Sequence, residues 1–215
     1  VASALGQAIL GISGRRAIFA FYLAMGLVAL VWFALRQEET LPSSRRIPFS
    51  ARRMLAAARE VVTTRRSIAY TVAAGFVFGA FLGYLTSAQQ ILQQQYALGP
   101  RFPLYFAVLA IAIGGASLAN ARLVMRYGMR ALSSWSLRGI CVVSIVFTAI
   151  ASANAGHPPL WMLMTYLMVL FFCIGLLFGN LNALAMQPLG HIAGTGAAVV
   201  GATSMLISLV LGTWI

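Results

Sequence analysis

Six apolar stretches, each close to the length of a membrane-spanning helix, dominate this sequence. A transmembrane helix needs roughly 20 mostly apolar residues. In lipid the backbone polar groups must be satisfied within the segment, so such stretches are predicted to be helices. The sequence therefore predicts an all-α, polytopic transmembrane bundle. The six stretches are residues 17–36, 67–88, 102–121, 134–153, 160–182 and 194–215, and residues 1–12 resemble the end of another.

The distribution of charge supports a membrane protein and excludes a nucleic-acid binder. Only 8% of the residues are charged, whereas a soluble domain uses roughly a quarter. The basic residues are all arginine, with eight between Arg36 and Arg66 and four between Arg122 and Arg138. They lie between apolar stretches and not on one folded basic face, so nucleic acid is not an expected partner. Arginine-rich loops face the cytoplasm, which predicts a multi-pass integral membrane protein with these loops on the cytoplasmic side.

The long arginine-rich segment contains a predicted helix of its own. Pro48-Phe49-Ser50 is typical of a helix start, and apolar residues then recur on one face while arginines occupy much of the rest. This pattern favours an amphipathic helix on the cytoplasmic surface, near anionic headgroups. The alternative is a solvated linker that docks nowhere. The apolar face consists of Met54, Leu55, Ala58, Val61 and Val62.

The interior chemistry of the stretches argues against an enzyme. The three acidic residues, Glu38, Glu39 and Glu60, lie at or in the large loop, and the chain contains no Asp. A catalytic site needs a clustered nucleophile, base or metal set, and neither such a cluster nor a cofactor motif is visible. In residues 67–88, Gly75, Gly79 and Gly83 share one face and predict a close helix contact. On the opposite face, Val77, Phe81 and Tyr84 could look into a cavity.

Several local strings resemble the major facilitator superfamily, and one resembles its Bcr/CflA (bicyclomycin/chloramphenicol-resistance) drug:proton antiporters. Gly14–Phe19 resembles the turn before span six, Glu39–Pro42 the end of that span, and Asn120–Arg130 the loop between spans eight and nine. The most specific strings are Asn180–Ala185 and Gln187–Thr195, which are similar to the end of span ten in Bcr/CflA proteins. Met125 stands where the superfamily loop motif has an Asp, which puts a charge-pair gate there in doubt.

The resemblance implies a twelve-span fold in two six-helix halves. Residues 1–36 would be the end of the N-terminal half, from part of span five through span six. Residues 37–66 would link the halves, and residues 67–215 would form spans seven to eleven of the C-terminal half. The rest of the N-terminal half, from the same chain, would then be the partner of these spans. The resemblance also implies a location in the bacterial inner (cytoplasmic) membrane.

The resemblance also implies alternating access, in which two bundles rock about a central site. We expect proton-coupled efflux of small amphipathic, drug-like compounds, with the lipid bilayer and the substrate as partners and the proton as coupling ion. A facilitator or importer of a small metabolite on the same fold is the alternative, and a non-transporting membrane scaffold is a third reading. The candidate cavity residues are Phe81, Tyr84, Gln90, Tyr166, Asn180 and Asn182, and the candidate cytoplasmic gate or loop residues are Arg122, Arg126, Gly128, Arg130 and His191. The arginines could equally serve only to set topology, and His191 could sense pH or bond a helix end.

Overall fold

The computed structural model describes residues 15–37 and 50–214. Within them every regular element is a helix, so the all-α prediction is confirmed. Predictions that concern residues 1–14 and 38–49, including Glu38, Glu39 and Pro48-Phe49, lie outside the described residues. The described helices fall into two units, divided between Ser50 and Ala51. The first unit contains helix α1, Arg15–Arg36, whose large apolar side chains from Phe19 to Leu35 are exposed.

The second unit contains a bundle of five long helices and one short helix outside that bundle. The predicted apolar stretches between residues 67 and 214 all lie within these helices. The short helix α2 precedes the bundle and is separated from α3 by Thr64 alone. The helices are α2 (Ala51–Thr63), α3 (Arg65–Gln89), α4 (Phe102–Tyr127), α5 (Met129–Ala153), α6 (Leu160–Met186) and α7 (Ala193–Trp214). Shorter segments are a π-helical turn at Gln90–Gln95 and 3₁₀ turns at Gly99–Arg101 and Gln187–Ile192.

The chain reverses direction between α6 and α7. The helical stretch Leu160–Trp214 contains 55 residues, and at 1.5 Å per residue it would be far longer than a bilayer is thick. Backbone angles at Leu189 (φ −105°, ψ 18°) interrupt it. The two parts lie along α3 in opposite directions. Phe178 and Phe171 of α6 meet Phe78 and Tyr84 in reverse order, whereas Ser204 and Ser208 of α7 meet Thr71 and Gly75 in the same order.

The connection between α4 and α5 is much tighter than the sequence suggests. The resemblance implies a loop over Asn120–Arg130, but α4 continues to Tyr127 and α5 begins at Met129, so Gly128 alone makes the turn. Gly128 has φ 79° and ψ 154°, a region that residues with a Cβ essentially do not occupy. A glycine at this position therefore allows a one-residue turn. Arg126 before it and Arg130 after it consequently lie in helices.

Helix α3 contacts both α6 and α7, and α6 also packs on α4 and α5. Side chains on the outside of this arrangement are apolar and exposed, among them Ile111, Leu118, Ile145 and Val210. In water such a surface would aggregate, whereas in a bilayer it faces acyl chains. We call the end formed by α2, the Gly128 turn and residues 187–192 the Arg-rich end.

Candidate substrate cleft between α3, α6 and α7

A cleft of about 380 Å³ opens where α3, α6 and α7 meet. Its walls are mostly aromatic and aliphatic, with a few neutral polar groups, and none of the described residues that line it is ionisable. The lining residues are Phe78, Phe81, Leu82 and Leu85 from α3, Asn182 from α6, and Gly201, Ser204, Met205 and Ser208 from α7.

The α6 side of the cleft is held by stacked aromatic rings. Phe78 of α3 stacks on Phe178 of α6 with ring centroids 4.7 Å apart. Phe81 meets Phe178 edge to face at 5.6 Å and Phe171 at 5.5 Å. These rings are half-buried or buried, so Phe78 and Phe81 both pack against α6 and line the cleft.

The α7 side is held by small residues and hydroxyl groups. Ser204 Oγ donates to the carbonyl oxygen of Thr71 at 3.0 Å. Ser208 Oγ lies 3.0 Å from the carbonyl oxygen of Gly75 and 2.7 Å from that of Ser204. A Cβ added at Gly75 would lie 2.7 Å from Ile207 Cβ, and one at Gly79 would lie 2.9 Å from Leu211 Cβ. The glycine face predicted from the sequence is therefore the contact with α7, and its serine partners are engaged with the α3 backbone.

The structure places two of the predicted cavity residues, Phe81 and Asn182, at this cleft. Asn182 is exposed and donates through Nδ2 to the Phe178 carbonyl oxygen at 3.3 Å. Tyr84 packs edge to face on Phe171 at 4.9 Å, one helical turn from Phe81 towards the other end of the bundle. Its buried hydroxyl oxygen has no hydrogen-bond partner among the described residues.

The other three predicted cavity residues lie elsewhere. Asn180 is buried and donates to Asn120 Oδ1 at 2.7 Å, where α6 meets α4. Tyr166 stacks on Phe147 of α5 at 4.2 Å. Gln90 is exposed in the π-helical turn that ends the long α3 segment.

That π-helical turn and the loop between α5 and α6 are fastened together at the end opposite the Arg-rich end. Tyr96 Oη donates to the Pro158 carbonyl oxygen at 2.6 Å, and Gln95 Nε2 donates to that of Gly156 at 3.2 Å. His157 Nε2 lies 3.1 Å from the Gln95 carbonyl oxygen. A π-helical turn often marks a functional region, and here it connects the α3 wall of the cleft to a fixed loop.

The predicted gate residues all lie at the Arg-rich end but are not one cluster. Arg122 and Arg126 lie on the last turns of α4 and Arg130 on the first turn of α5, and all three are exposed. The Arg126 guanidinium lies 5.3 Å from the centre of the Tyr127 ring. His191 instead pairs with α2, since its Nε2 lies 2.8 Å from Glu60 Oε1.

Several residues that line the cleft or support its walls were not predicted as site residues. Phe171 and Phe178 are seven positions apart, which puts them on one face of a helix, but α6 is apolar on every side and hides that face. Ser204 and Ser208 had a usable signal, because they are four positions apart in α7 like the glycines that they meet in α3. Among residues 15–37 and 50–214, no three His, Cys, Asp or Glu side chains are grouped to hold a metal ion.

Comparison with known proteins places this architecture in a family. The family model described as Major Facilitator Superfamily matches residues 1–213. The chain is 26% identical over 196 residues to YdgK of Bacillus subtilis (strain 168), described as an uncharacterized MFS-type transporter. The match covers 90% of this chain and 48% of YdgK, so the chain spans about half the length of that relative. No solved structure matches the sequence significantly. A bundle of bilayer-length helices that matches this family over almost its whole length belongs to the major facilitator superfamily of membrane transporters.

Proposed function

We propose that this chain supplies one wall of the substrate path of a secondary transporter that exports small amphipathic compounds in exchange for protons. The observation that carries the proposal is the cleft between α3, α6 and α7. It is bounded by two phenylalanines, three aliphatic side chains of which one is Met205, and neutral polar groups. Alternating access would expose such a wall to each side of the membrane in turn.

The chemistry of the lining favours amphipathic substrates over sugars or phosphates. Burying a benzene-sized ring against apolar side chains contributes about 1.5–3 kcal/mol, and the flexible Met205 side chain adapts to rings of different shape. A sugar would need several hydrogen bonds. The hydroxyls of Ser204 and Ser208 already bond the α3 backbone, which leaves the Asn182 amide as the main polar contact. A phosphate would need cationic partners, and no lining residue carries a charge.

Proton coupling is supported by resemblance and not by a residue of this cleft. The strings Asn180–Ala185 and Gln187–Thr195 resemble Bcr/CflA drug:proton antiporters. The chain has three acidic residues, Glu38, Glu39 and Glu60, and none lies in an apolar stretch. Carriers of protons inside membranes are usually buried carboxylates, so we place the coupling carboxylate in the other half of the transporter.

The test uses the full-length protein, as its gene encodes it, in liposomes that contain a trapped pH indicator. A fluorescent amphipathic cation is added outside while the interior is more acidic than the exterior. We expect the dye to accumulate only when the proton gradient is present, and the interior to lose protons faster when the dye is added. Dye that merely equilibrates without moving protons would indicate a facilitator, and a protein that moves no dye would refute the proposed substrate class.

A matched pair of variants links the activity to the cleft. Phe81→Ala removes a ring from the cleft wall, whereas Phe76→Ala removes one from an exposed position on the same helix. An aromatic contact contributes about 0.5–1.5 kcal/mol, so we expect Phe81→Ala to raise KM up to about tenfold. Phe76→Ala should leave KM unchanged. Equal effects of the two variants would place the substrate path elsewhere.

A further inference from the structure

Helix α2 carries an apolar stripe, and the bundle covers only part of its width. Ala57 and Val61 are buried, and Val61 packs in one cluster with Ala185, Leu189 and Val200. The stripe continues around the helix beyond this contact. Met54, Leu55 and Val62 continue it and are 46%, 73% and 56% exposed. Ala57 and Val61 are therefore seated on the bundle, whereas Met54, Leu55 and Val62 are largely exposed among the described residues.

The charge around the exposed half of the stripe is strongly positive. Arg52, Arg53 and Arg59 are exposed on α2, and Arg65 and Arg66 are exposed at the start of α3. Glu60 is the carboxylate of this helix, and it is paired with His191 at 2.8 Å. This contact turns the one carboxylate of α2 towards residues 187–192. The five arginines remain exposed and can attract anions.

Helix α2 directly precedes a helix of membrane-spanning length, and lipid headgroups lie near the ends of such helices. Thr64 alone separates it from α3, which is long and apolar enough to cross the membrane. The Val61 contact and the Glu60–His191 pair hold the helix against the end of the bundle and not out in water. Guanidinium groups reach from such a depth to phosphates while their methylene stems lie on apolar surface.

We propose that α2 is an interfacial helix that binds anionic lipid: Met54, Leu55 and Val62 enter the acyl boundary of the adjacent leaflet, and Arg52, Arg53 and Arg59 bind the lipid phosphates. Juxtamembrane basic residues gain from the negative potential of an anionic leaflet. An apolar stripe bordered by arginines matches a lipid surface better than it matches a soluble partner, because one occupant satisfies both chemistries. The proposal does not depend on which substrate the transporter carries.

The experiment measures how deeply each side of α2 sits in a bilayer. The full-length protein is placed one copy per nanodisc, with Cys141 and Cys173 replaced by Ala and a single fluorescent label at Leu55→Cys or Ala56→Cys. These neighbours are both exposed but lie on different sides of the helix. Lipids with a quencher just below the headgroup report depth. We expect about threefold stronger quenching at position 55 than at position 56, because an interfacial helix buries its apolar face roughly 5–10 Å deep.

The lipid charge is tested in the same discs. With phosphatidylglycerol present, quenching at position 55 should be strong, and it should fall in pure phosphatidylcholine. The triple variant R52Q/R53Q/R59Q should give the phosphatidylcholine value in both lipids. Equal quenching at positions 55 and 56, or quenching that ignores both lipid charge and the arginines, would overturn the proposal. A label at position 55 that is shielded from lipid and water quenchers alike would show that protein covers the stripe, and would also overturn it.

Discussion

Helix α3 meets its two neighbours through contacts of opposite chemistry. Against α7 it presents glycines, and serine hydroxyls of α7 bond its backbone carbonyls. Against α6 it presents aromatic rings, which meet other rings at centroid distances of 4.7–5.6 Å. The cleft lies where the two contacts adjoin.

The difference indicates which contact is rigid and which can adjust. Lipid supplies little hydrophobic drive between helices, so association depends on close packing and interhelical hydrogen bonds. The contact between α3 and α7 has both, since an added Cβ at Gly75 or Gly79 would lie less than 3.0 Å from α7. Ring contacts tolerate offset and edge-to-face geometries of similar energy. We therefore expect α3 and α7 to move as one body while α3 shifts relative to α6.

The largest expected effect comes from breaking the close contact. Gly75→Ala would place a methyl group 2.7 Å from Ile207 Cβ and 3.2 Å from the Ser204 carbonyl oxygen. Such overpacking should lower the free energy of unfolding by about 2–3 kcal/mol, measured by thermal or denaturant unfolding in detergent. Gly114→Ala is the matched control, because no described atom beyond the neighbouring backbone of its own helix lies within 4 Å of that added Cβ. The control should be neutral or gain up to about 1 kcal/mol from helix propensity. Equal losses in both variants would mean that α7 does not pack where the structure puts it.

A second prediction concerns the far side of α6, where that helix is anchored to α4. An added Cβ at Gly175 would lie 2.7 Å from Ala116 Cβ, and Asn180 donates to Asn120 Oδ1 nearby. Asn180→Leu leaves Asn120 without this partner, so it should cost about 1–2 kcal/mol of unfolding free energy. Asn182→Leu, at an exposed position two residues on, should change stability little and substrate affinity more. An Asn180→Leu variant with unchanged stability and altered substrate affinity would show that Asn180 contributes to the substrate path.

These contacts show how far the sequence can be interpreted. Bilayer thickness fixes the length of a span, so apolar stretches after residue 66 predicted α3 to α7 well. Glycines spaced by four predicted a close contact on α3, although not that α7 would be the partner. The orientation of α6 about its own axis was not predictable. A helix that is apolar on every side has no polar face to show which residues point into the bundle. Asn180 and Tyr166 were predicted to line a cavity. In the structure Asn180 bonds Asn120, and Tyr166 stacks on Phe147.

The Gly128 turn was missed for a different reason. Four arginines spread between positions 122 and 138 favour a loop when charge alone is considered. Helices can extend beyond the apolar core of the membrane, so charged residues at their ends are compatible with continued helix. The backbone angles of Gly128 allow α4 and α5 to be joined by a single residue. Whether the chain adopts these angles depends on how α4 and α5 pack.

The third prediction tests whether the aromatic contact is the adjustable one. Phe178→Leu removes the ring that stacks on Phe78 and meets Phe81. We expect a loss of about 1 kcal/mol in stability, since an aromatic pair contributes about 0.5–1.5 kcal/mol beyond its buried area. The change in kcat/KM for transport, expressed as a free energy, should exceed this loss of stability. The reason is that the Phe81 wall of the cleft loses its support. Phe172→Leu, at an exposed ring of the same helix, is the control and should alter neither. If Phe178→Leu lowers the free energy of unfolding as much as Gly75→Ala does, the contacts of α3 with α6 and with α7 are equally rigid.

The smallest expected effect isolates the hydroxyl contribution to the rigid contact. Ser208 Oγ lies within hydrogen-bond distance of the Gly75 carbonyl oxygen of α3 and of the Ser204 carbonyl oxygen of its own helix. Interhelical hydrogen bonds in membranes contribute about 0.6 kcal/mol on average, so Ser208→Ala should lower the unfolding free energy by about that much. Thr213→Val removes a hydroxyl of α7 that bonds only within the helix, and it should have no measurable effect. A double-mutant cycle with Gly75→Ala should then show strong coupling, because the larger change already separates the bonded atoms. Additive losses would mean that the hydroxyl and the glycine stabilise the contact between α3 and α7 independently, and that Gly75→Ala does not separate the bonded atoms.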